Sequence, residues 1–411
     1  MIVATVHPWH LVNCINTEYT SQAHTWEEVL TDTGSSDGVV PLGVLGAWWT
    51  SKPSKLPVTL STHVSATRLY QLHAQCLSWP GPISAAVYLN LFEPKRPVGG
   101  QMNLSDVSLA KLRGSIRAVE DLAKEMEASG DDACQLDVML VFEIFTDKKG
   151  ALLYPFNILR NFARLQARTQ TMGLLDIDML AGPGLAQSLK GVAGKALVDQ
   201  LANTKKVMVI PAFQTTKHAN QTAKAAILAD TLASMDKQDF ILAVSANLAE
   251  AFDLLRYPPG HNWTLYPTWW TAAEAYTIEP GKGYEPWILA DRKQVPWHDV
   301  RYRGYGWDKV AHISLLNASR FEFLVHPTAF CIHRNHPHTE ASTSFFKTYG
   351  SNPSSSPEGL AIRDRNQAIF EYAKGCWDKG DVGTPVLDWA SVRCVPKLPW
   401  WRDGWKEAAV S

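Results

Sequence analysis

The sequence predicts an α/β fold built on a doubly wound sheet. Three long apolar segments, residues 83–91, 136–145 and 207–213, have the length and composition of buried strands. Segments with helical periodicity alternate with these strands along the chain. Alternation of strand and helix is typical of sheets whose ligands bind beyond the carboxyl ends of the strands.

The predicted elements begin at residue 58. Strands are predicted over residues 58–62, 83–91, 136–145, 172–175, 207–213 and 321–325. Helices are predicted over residues 68–79, 105–129, 154–161, 181–206, 222–256 and 361–374. In the first of these helices the residues expected on one apolar side are Leu69, Leu72, Cys76 and Leu77.

We expect three regions along the chain. Residues 1–57 are predicted to form an N-terminal extension and linker, because the first fifty show no clear period. Residues 58–340 are predicted to form the main domain. Residues 341–411 are predicted to form a C-terminal tail with one helix packed on that domain.

Composition excludes some classes of protein. The chain has 411 residues, of which 46% are hydrophobic and 19% charged, and this balance is typical of a globular protein with a sizeable core. The net charge of −1 argues against a nucleic-acid binder that depends on broad phosphate attraction. The best candidate for a membrane span, residues 39–49, is shorter than the roughly 18 apolar residues that such a helix needs.

The six cysteines lack the CxxC spacing of a metal site. Cys376 and Cys394 lie in a polar tail and could pair with each other. Cys76 and Cys331 are expected to be buried thiols, because apolar residues surround them. This pattern leaves the cellular compartment open.

Two aspartates follow the short predicted strand at residues 172–175. Alternate residues of a strand face the same way, so Asp176 and Asp178 are expected to point to one side while Ile177 enters the core. Paired carboxylates at a strand end suit Mg²⁺ or Mn²⁺. A turn-capping role is the more common explanation of an isolated Asp-x-Asp, and only the flanking sequence favours a metal site.

Several other segments carry candidate site residues. In the helix that Pro155 opens, Asn157 and Arg160 share one face. Glu285 lies among glycines and aromatic residues, which is typical of a loop that approaches a ligand closely. The aromatic segment 263–270 is either a core wedge or a platform for sugar binding.

Several distinctive blocks of sequence follow one another over roughly residues 58–340. They are Trp79-Pro-Gly-Pro-Ile-Ser-Ala-Ala-Val-Tyr-Leu, Tyr154-Pro-Phe-Asn-Ile-Leu-Arg-Asn161, Leu175-Asp-Ile-Asp178, Leu201-Ala-Asn-Thr-Lys-Lys-Val-Met-Val-Ile-Pro-Ala-Phe213, Tyr284-Glu-Pro-Trp287, Gly304-Tyr-Gly-Trp-Asp-Lys-Val-Ala-His312 and Ile332-His333. In these blocks, and in their order, the chain resembles glycosyltransferase family 49, which includes the LARGE-type and β-1,4-glucuronyltransferase-type enzymes that build matriglycan on dystroglycan.

The resemblance implies a GT-A type, Rossmann-like fold and a metal-dependent inverting glycosyltransferase. The implied donor is a UDP-sugar, most commonly UDP-glucuronate, and the implied acceptor is a glycan hydroxyl. Asp176 and Asp178 would hold Mn²⁺ (or Mg²⁺) and the diphosphate, and His333 would complete the metal shell. His336 and His338 are alternatives to His333.

Further roles follow from the same resemblance. Asn157 and Arg160 would contact the nucleotide or order the metal loop, and Lys309 would bind phosphate or a sugar carboxylate. Glu285 and Asp308 are the two candidates for the catalytic base. Asp308 departs from the family, which has Asn in this position.

Because of that departure, a catalytically silent relative that binds a UDP-sugar or a glycan is the alternative function. Family resemblance places the protein in the Golgi or secretory lumen. The sequence itself contains no signal or anchor, so a cytoplasmic location stays open. Oligomeric state is not indicated.

Overall fold

The computed structural model describes residues 7–18, 23–31, 42–94, 104–130, 133–216, 222–337, 342–343, 356–383 and 389–402. The strands are β1 (Ala23–His24), β2 (Leu42–Trp49), β3 (Val58–Ser65), β4 (Pro82–Phe92), β5 (Gln135–Phe145), β6 (Thr171–Leu174), β7 (Met179–Ala181), β8 (Lys206–Ile210), β9 (Ala212–Thr215), β10 (Ala249–Ala251), β11 (Tyr276–Ile278), β12 (Trp287–Asp291), β13 (Glu322–Val325) and β14 (Cys331–His333).

The α-helices of the described residues alternate with these strands. They are α1 (Trp9–Glu18), α2 (Trp26–Thr31), α3 (Leu69–Ser78), α4 (Asp106–Ala128), α5 (Phe156–Gln166), α6 (Pro183–Ser188), α7 (Gly191–Leu201), α8 (Thr222–Ala233), α9 (Lys237–Ser245), α10 (Pro258–His261), α11 (Tyr266–Thr271), α12 (Asp308–Ala318), α13 (Pro357–Trp377) and α14 (Trp389–Cys394). No helix among the described residues is long and apolar enough to cross a membrane.

The strands form two sheets. The large sheet has the order β1-β5-β4-β3-β6-β12-β8-β13-β11, with β2 also paired to β5. The small sheet has the order β10-β9-β14-β7. The predicted α/β fold is confirmed, and the large sheet is mixed, because β12 runs antiparallel to both of its neighbours, β6 and β8.

The parallel half of the large sheet packs helices on both faces. Against one face, α3 and α4 bury an apolar cluster that includes Leu72, Val119 and Met126. Against the other face, α5 buries a second cluster that includes Ile158 and Phe162. Burial on both faces explains why β4 and β5 read as continuous apolar runs.

The apolar run at residues 207–213 is two strands and not one. Pro211 separates β8 from β9, and these strands belong to different sheets. Proline has no N–H to donate to a strand ladder, so the pairing of β8 ends there. After the break, the carbonyl of Pro211 accepts a hydrogen bond from the backbone N–H of Cys331 at 2.9 Å, and this bond leads the chain into the small sheet.

The prediction that the first fifty residues are irregular is wrong for the described part of that region. Strand β2 pairs antiparallel with β5 along most of its length, and α1 packs on β2. The pairing shifts register between Val44 and Gly46, and Gly43 lies so close to the ring of Phe142 that a Cβ there would collide with it. The glycines of this strand hid its two-residue period from the sequence pattern.

The cysteine predictions require two corrections. Cys394 pairs with Cys14 and not with Cys376, and this disulfide joins α14 to α1 across 380 residues. Cys76 is not a thiol, because it pairs with Cys134. Cys331 is a buried thiol as predicted. Sequence proximity misled the first prediction, because α1 and α14 meet only in the folded chain.

The C-terminal helix prediction matches α13, and a second helix, α14, follows it. Beyond α14, the indole N–H groups of Trp400 and Trp401 both donate to the carbonyl of Leu165 at the end of α5. These two hydrogen bonds hold the end of the described tail against α5. On α3, Leu77 is exposed and not on the buried side as predicted.

Candidate active site

Four segments meet at the carboxyl end of β6. β12 runs antiparallel to β6 with Ile288 opposite Leu174, so the segment before β12 lies where β6 ends. β14 pairs with β7 with His333 opposite Met179, so the end of β14 lies beside the turn that follows β6. The other two segments are the turn after β6, which carries Asp176, and the amino terminus of α12, which carries Lys309.

The carboxylate of Asp176 is surrounded by donors. Its Oδ2 accepts hydrogen bonds from Lys309 Nζ at 2.8 Å and from Trp287 Nε1 at 3.1 Å, and its Oδ1 lies 3.4 Å from Arg160 Nη2. Burial alone would raise the pKa of Asp176, but the charges of Lys309 and Arg160 hold it well below its usual range. Asp176 is therefore ionised at neutral pH.

Asp178 faces two histidines. Its Oδ2 lies 2.9 Å from His336 Nε2 and 3.8 Å from His333 Nε2. Within the described part of the chain, these three side chains form the group with metal-ligand spacing, because one ligand atom of each lies within 4.8 Å of the others. Burial lowers the pKa of His333 to about 4, so its imidazole is neutral at pH 7. His338 lies outside the described residues.

The contacts of His336 fit a bound divalent ion. Its Nδ1 lies 2.7 Å from the carbonyl of Pro337, while its Nε2 faces Asp178. His336 would hold a metal through Nε2, which leaves the Nδ1–H to donate to the carbonyl of Pro337, as metal-bound histidines commonly do. One carboxylate and two imidazoles form a donor set that suits Mn²⁺.

Arg160 on helix α5 lies between two of the predicted site carboxylates, Asp176 and Asp308. Arg160 Nη1 donates to Asp308 Oδ2 at 2.5 Å and to Asn157 Oδ1 at 2.8 Å. The amide of Asn157 in turn donates to the carbonyl of Asp299 at 2.9 Å. Asn157 therefore orients Arg160, and Arg160 neutralises Asp308. Asn157 and Arg160 are both buried, so neither presents its side chain freely to a nucleotide.

Glu285 has a different environment from Asp308. Its nearest cation is Lys309, whose Nζ lies 3.9 Å from Glu285 Oε2. Burial raises the pKa of Glu285 to about 7, and Lys309 opposes this shift only in part. The carboxylate lies close to Gly260, where an added Cβ would be 3.3 Å from Glu285 Oε1. At neutral pH Glu285 can both hold and accept a proton.

Comparison with known proteins shows the family of this chain. The sequence profile of a family described as "Glycosyl-transferase for dystroglycan" matches residues 57–349, which is well over half of the chain. The chain belongs to this family. The match contains all the residues that form the site described above, from the turn after β6 to His336.

The curated relatives of this family member are longer proteins. It is 32% identical to mouse "Xylosyl- and glucuronyltransferase LARGE1" over 289 residues, covering 70% of this chain and 32% of the relative. It is 31% identical to mouse "Xylosyl- and glucuronyltransferase LARGE2" over 284 residues, covering 69% of this chain and 35% of the relative. For human LARGE1, the identity is 32% over 70% of this chain and 32% of the relative. The chain thus spans about a third of the length of these relatives.

Two buried glutamines hold the loops of this family member's site, and the sequence pattern did not predict them. Gln75 Nε2 donates to the carbonyls of Asp176 and Met179, both at 3.0 Å. Gln71 Oε1 accepts a hydrogen bond from Arg334 Nη1 at 2.8 Å. The available signal was their spacing of four residues, which puts two amides on one face of α3.

Trp287 also had no predicted role, although it lies in a block that the family shares. Its ring stacks on His261 with the ring centroids 5.3 Å apart and the planes 3° from parallel. Lys309 Nζ lies 4.3 Å from the ring centroid on the way to Asp176. Trp287 therefore positions Lys309 as well as donating to Asp176.

The aromatic segment 263–270 is mainly a core wedge. Tyr266 and Trp269 are buried, and the ring of Trp269 packs against Phe213 and Phe330 in the core. Trp263 is 39% exposed and lies over Gly281. Through Trp263 the segment contacts the loop that carries Glu285.

Proposed function

We propose that the protein is a metal-dependent inverting glycosyltransferase that transfers a sugar from a UDP-sugar to a glycan hydroxyl. The observation that carries the proposal is the metal-competent group of Asp178, His333 and His336. It lies in the same site as a half-buried carboxylate, Glu285, whose pKa is raised to about 7. Family membership supports the reaction class.

The metal would be held by Asp178, His333 and His336, and when bound it would supply positive charge to the leaving diphosphate. Asp176, which the resemblance also assigns to the metal and diphosphate, pairs with Lys309 Nζ at 2.8 Å and would act beside these three residues. Lys309 and Arg160, each paired with a carboxylate, hold their cationic groups on the same side of the site. Such fixed charges stabilise negative charge that develops on a leaving group.

Glu285 is the base that the geometry favours. It would accept the proton of the acceptor hydroxyl as that oxygen bonds to the anomeric carbon, while the bond from this carbon to the diphosphate oxygen breaks and UDP leaves with the electron pair. Asp308 is less suited to this role, because Arg160 already occupies its Oδ2 at 2.5 Å. Inversion follows from a single displacement with no covalent intermediate.

We propose glucuronate as the donor sugar, because the names of the curated relatives include glucuronyltransferase. The same names include xylosyltransferase activity, so the test below compares both donors. We also propose the secretory lumen as the compartment. Disulfides Cys14–Cys394 and Cys76–Cys134 support an oxidising environment over the cytoplasm.

The test is UDP release from a panel of UDP-sugars, measured with Mn²⁺ and with EDTA. Turnover of UDP-glucuronate that requires Mn²⁺ and is lost in Asp178→Ala is the expected result. Asp199→Ala, which removes an exposed carboxylate on α7, is the matched control. Turnover that survives EDTA would contradict the metal site. Mn²⁺-dependent UDP binding without turnover on any glycan acceptor would favour a catalytically silent relative.

A further inference from the structure

Arg68, at the start of α3, points into the site and was not among the residues predicted from sequence. Its Nη2 lies 3.9 Å from Asp178 Oδ2, beyond hydrogen-bond distance. Both Nε and Nη2 are buried and have no hydrogen-bond partner among the residues that the structure describes. Two buried donors without a partner cost free energy that a bound ligand would recover.

The two unsatisfied nitrogens lie on one edge of the guanidinium. The same edge, Nε with Nη2, binds both carboxylate oxygens in the Arg256–Asp253 and Arg334–Asp230 pairs of this protein. Arg68 therefore presents the fork that grips two oxygens of a phosphate or a carboxylate. Asp178 does not fill this fork, since it lies at 3.9 Å and faces the histidines.

Charge balance indicates what the fork binds. The charged side chains that surround the turn after β6 are Arg68, Arg160, Lys309, Asp176, Asp178 and Asp308, and Glu285 faces Lys309 at 3.9 Å. Three cations therefore face three ionised carboxylates, and Glu285 adds at most one more negative charge. A divalent metal on Asp178 would leave an excess of positive charge, with Arg68 close to the metal. An anion that both contact would relieve this repulsion.

We infer that Arg68 binds the diphosphate of the donor nucleotide, gripping two of its oxygens through Nε and Nη2 beside the metal. This inference rests on the proposed function for the identity of the nucleotide. The amino terminus of α3, which has no side-chain cap at Arg68, adds favourable dipole charge for the same anion.

The experiment is calorimetric titration of the full chain with Mn²⁺ alone, then of the Mn²⁺-loaded protein with UDP, inorganic pyrophosphate, UDP-glucuronate and UDP-glucose. The variants are Arg68→Gln and Arg68→Lys, and the control is Arg117→Gln, an exposed arginine on α4. We expect Arg68→Gln to weaken UDP and pyrophosphate binding by about 10- to 100-fold, the loss typical of charged hydrogen bonds. Arg68→Lys should fall between it and the wild type, because it keeps the charge and loses the fork.

Binding of Mn²⁺ alone separates this role from a structural one. Removal of a nearby cation should leave Mn²⁺ affinity unchanged or increase it, whereas collapse of the site would weaken it. Equal UDP affinity in Arg68→Gln and wild type would overturn the inference and leave the proposed function standing. Weakening of UDP-glucuronate alone would assign Arg68 to the sugar carboxylate and overturn the diphosphate assignment.

Pyrophosphate distinguishes the inference from the proposed function. Wild-type protein that binds pyrophosphate with Mn²⁺ but neither UDP nor any UDP-sugar would contradict the proposed function. Loss of pyrophosphate binding in Arg68→Gln would then still support the oxyanion site. Wild-type protein that binds neither pyrophosphate nor UDP would overturn both.

Discussion

Arg160 Nη1 and Asp308 Oδ2 form a buried ion pair at 2.5 Å, and this pair separates the roles of the two candidate base residues. A carboxylate whose oxygen is occupied by an arginine is a poor acceptor for a substrate proton. Glu285, without such a partner at hydrogen-bond distance, keeps its proton affinity near neutrality.

Exchange of Asp308 for asparagine should therefore change stability more than chemistry. We expect Asp308→Asn to keep kcat within about ten-fold of wild type. The variant should lose about 1–3 kcal/mol of unfolding free energy, because Arg160 keeps an oxygen partner but not a charged one. Glu285→Gln should lower kcat by about 10²- to 10⁴-fold at little change in stability. Steady-state kinetics and denaturant unfolding measure both, and the reverse pattern would make Asp308 the base.

The pH dependence of kcat should report Glu285. Its pKa of about 7 means that the wild-type rate should rise as pH increases through 7 and level off above it, since the base must be unprotonated. Glu285→Gln should lack this rise. A wild-type profile that is flat between pH 6 and 8 under conditions where chemistry limits the rate would contradict the assignment.

Stability of the metal-free protein should respond to the same group with the opposite dependence on pH. Burial raises the folded-state pKa of Glu285 from its usual 4.5 to about 7. The folded state therefore holds the proton more tightly than the unfolded state. The resulting contribution to the unfolding free energy is complete below about pH 4.5 and is lost as pH rises through 7. Glu285→Gln should gain stability relative to wild type between pH 6 and 8 in EDTA, as measured by urea unfolding. No change in this difference with pH would argue against a raised pKa of Glu285 in the folded protein.

Metal binding should depend on both histidines of the site. Mn²⁺ at about 100 times its Kd should stabilise the wild type by about 2.7 kcal/mol, and EDTA should remove this gain. His336→Ala and His333→Ala should each weaken Mn²⁺ by more than the roughly 10- to 100-fold typical of losing an outer partner. His73→Ala, which removes a surface histidine paired with Glu125, is the control. If His336→Ala binds Mn²⁺ normally, then His333 with another residue forms the site.

The disulfide between α1 and α14 should stabilise the whole domain. Cys14→Ser or Cys394→Ser is expected to lower unfolding free energy by about 2–5 kcal/mol, because the bond restricts an unfolded chain over 380 residues. Cys376→Ser is the matched control, since Cys376 is a free cysteine. Guanidinium unfolding under non-reducing conditions measures the difference. Equal midpoints for Cys14→Ser and Cys376→Ser would show that the bond adds no stability.

Local patterns in the sequence determined much of this protein. The strands around residues 83–91 and 136–145, the helix that ends near Gly130 and the pair Asp176 and Asp178 all follow from periodicity, turn residues and shared motifs. These features depend on neighbours within a few residues, so one chain is enough to predict them.

Only the tertiary structure decided the geometry in which distant groups meet. The pairing of β14 with β7 brings His333 and His336 to Asp178, and antiparallel β12 brings Glu285 toward Asp176. Likewise Cys14 reaches Cys394 only after the chain has closed on itself. These contacts join residues more than a hundred positions apart, and their geometry is set by sheet register and packing, which local periodicity does not encode.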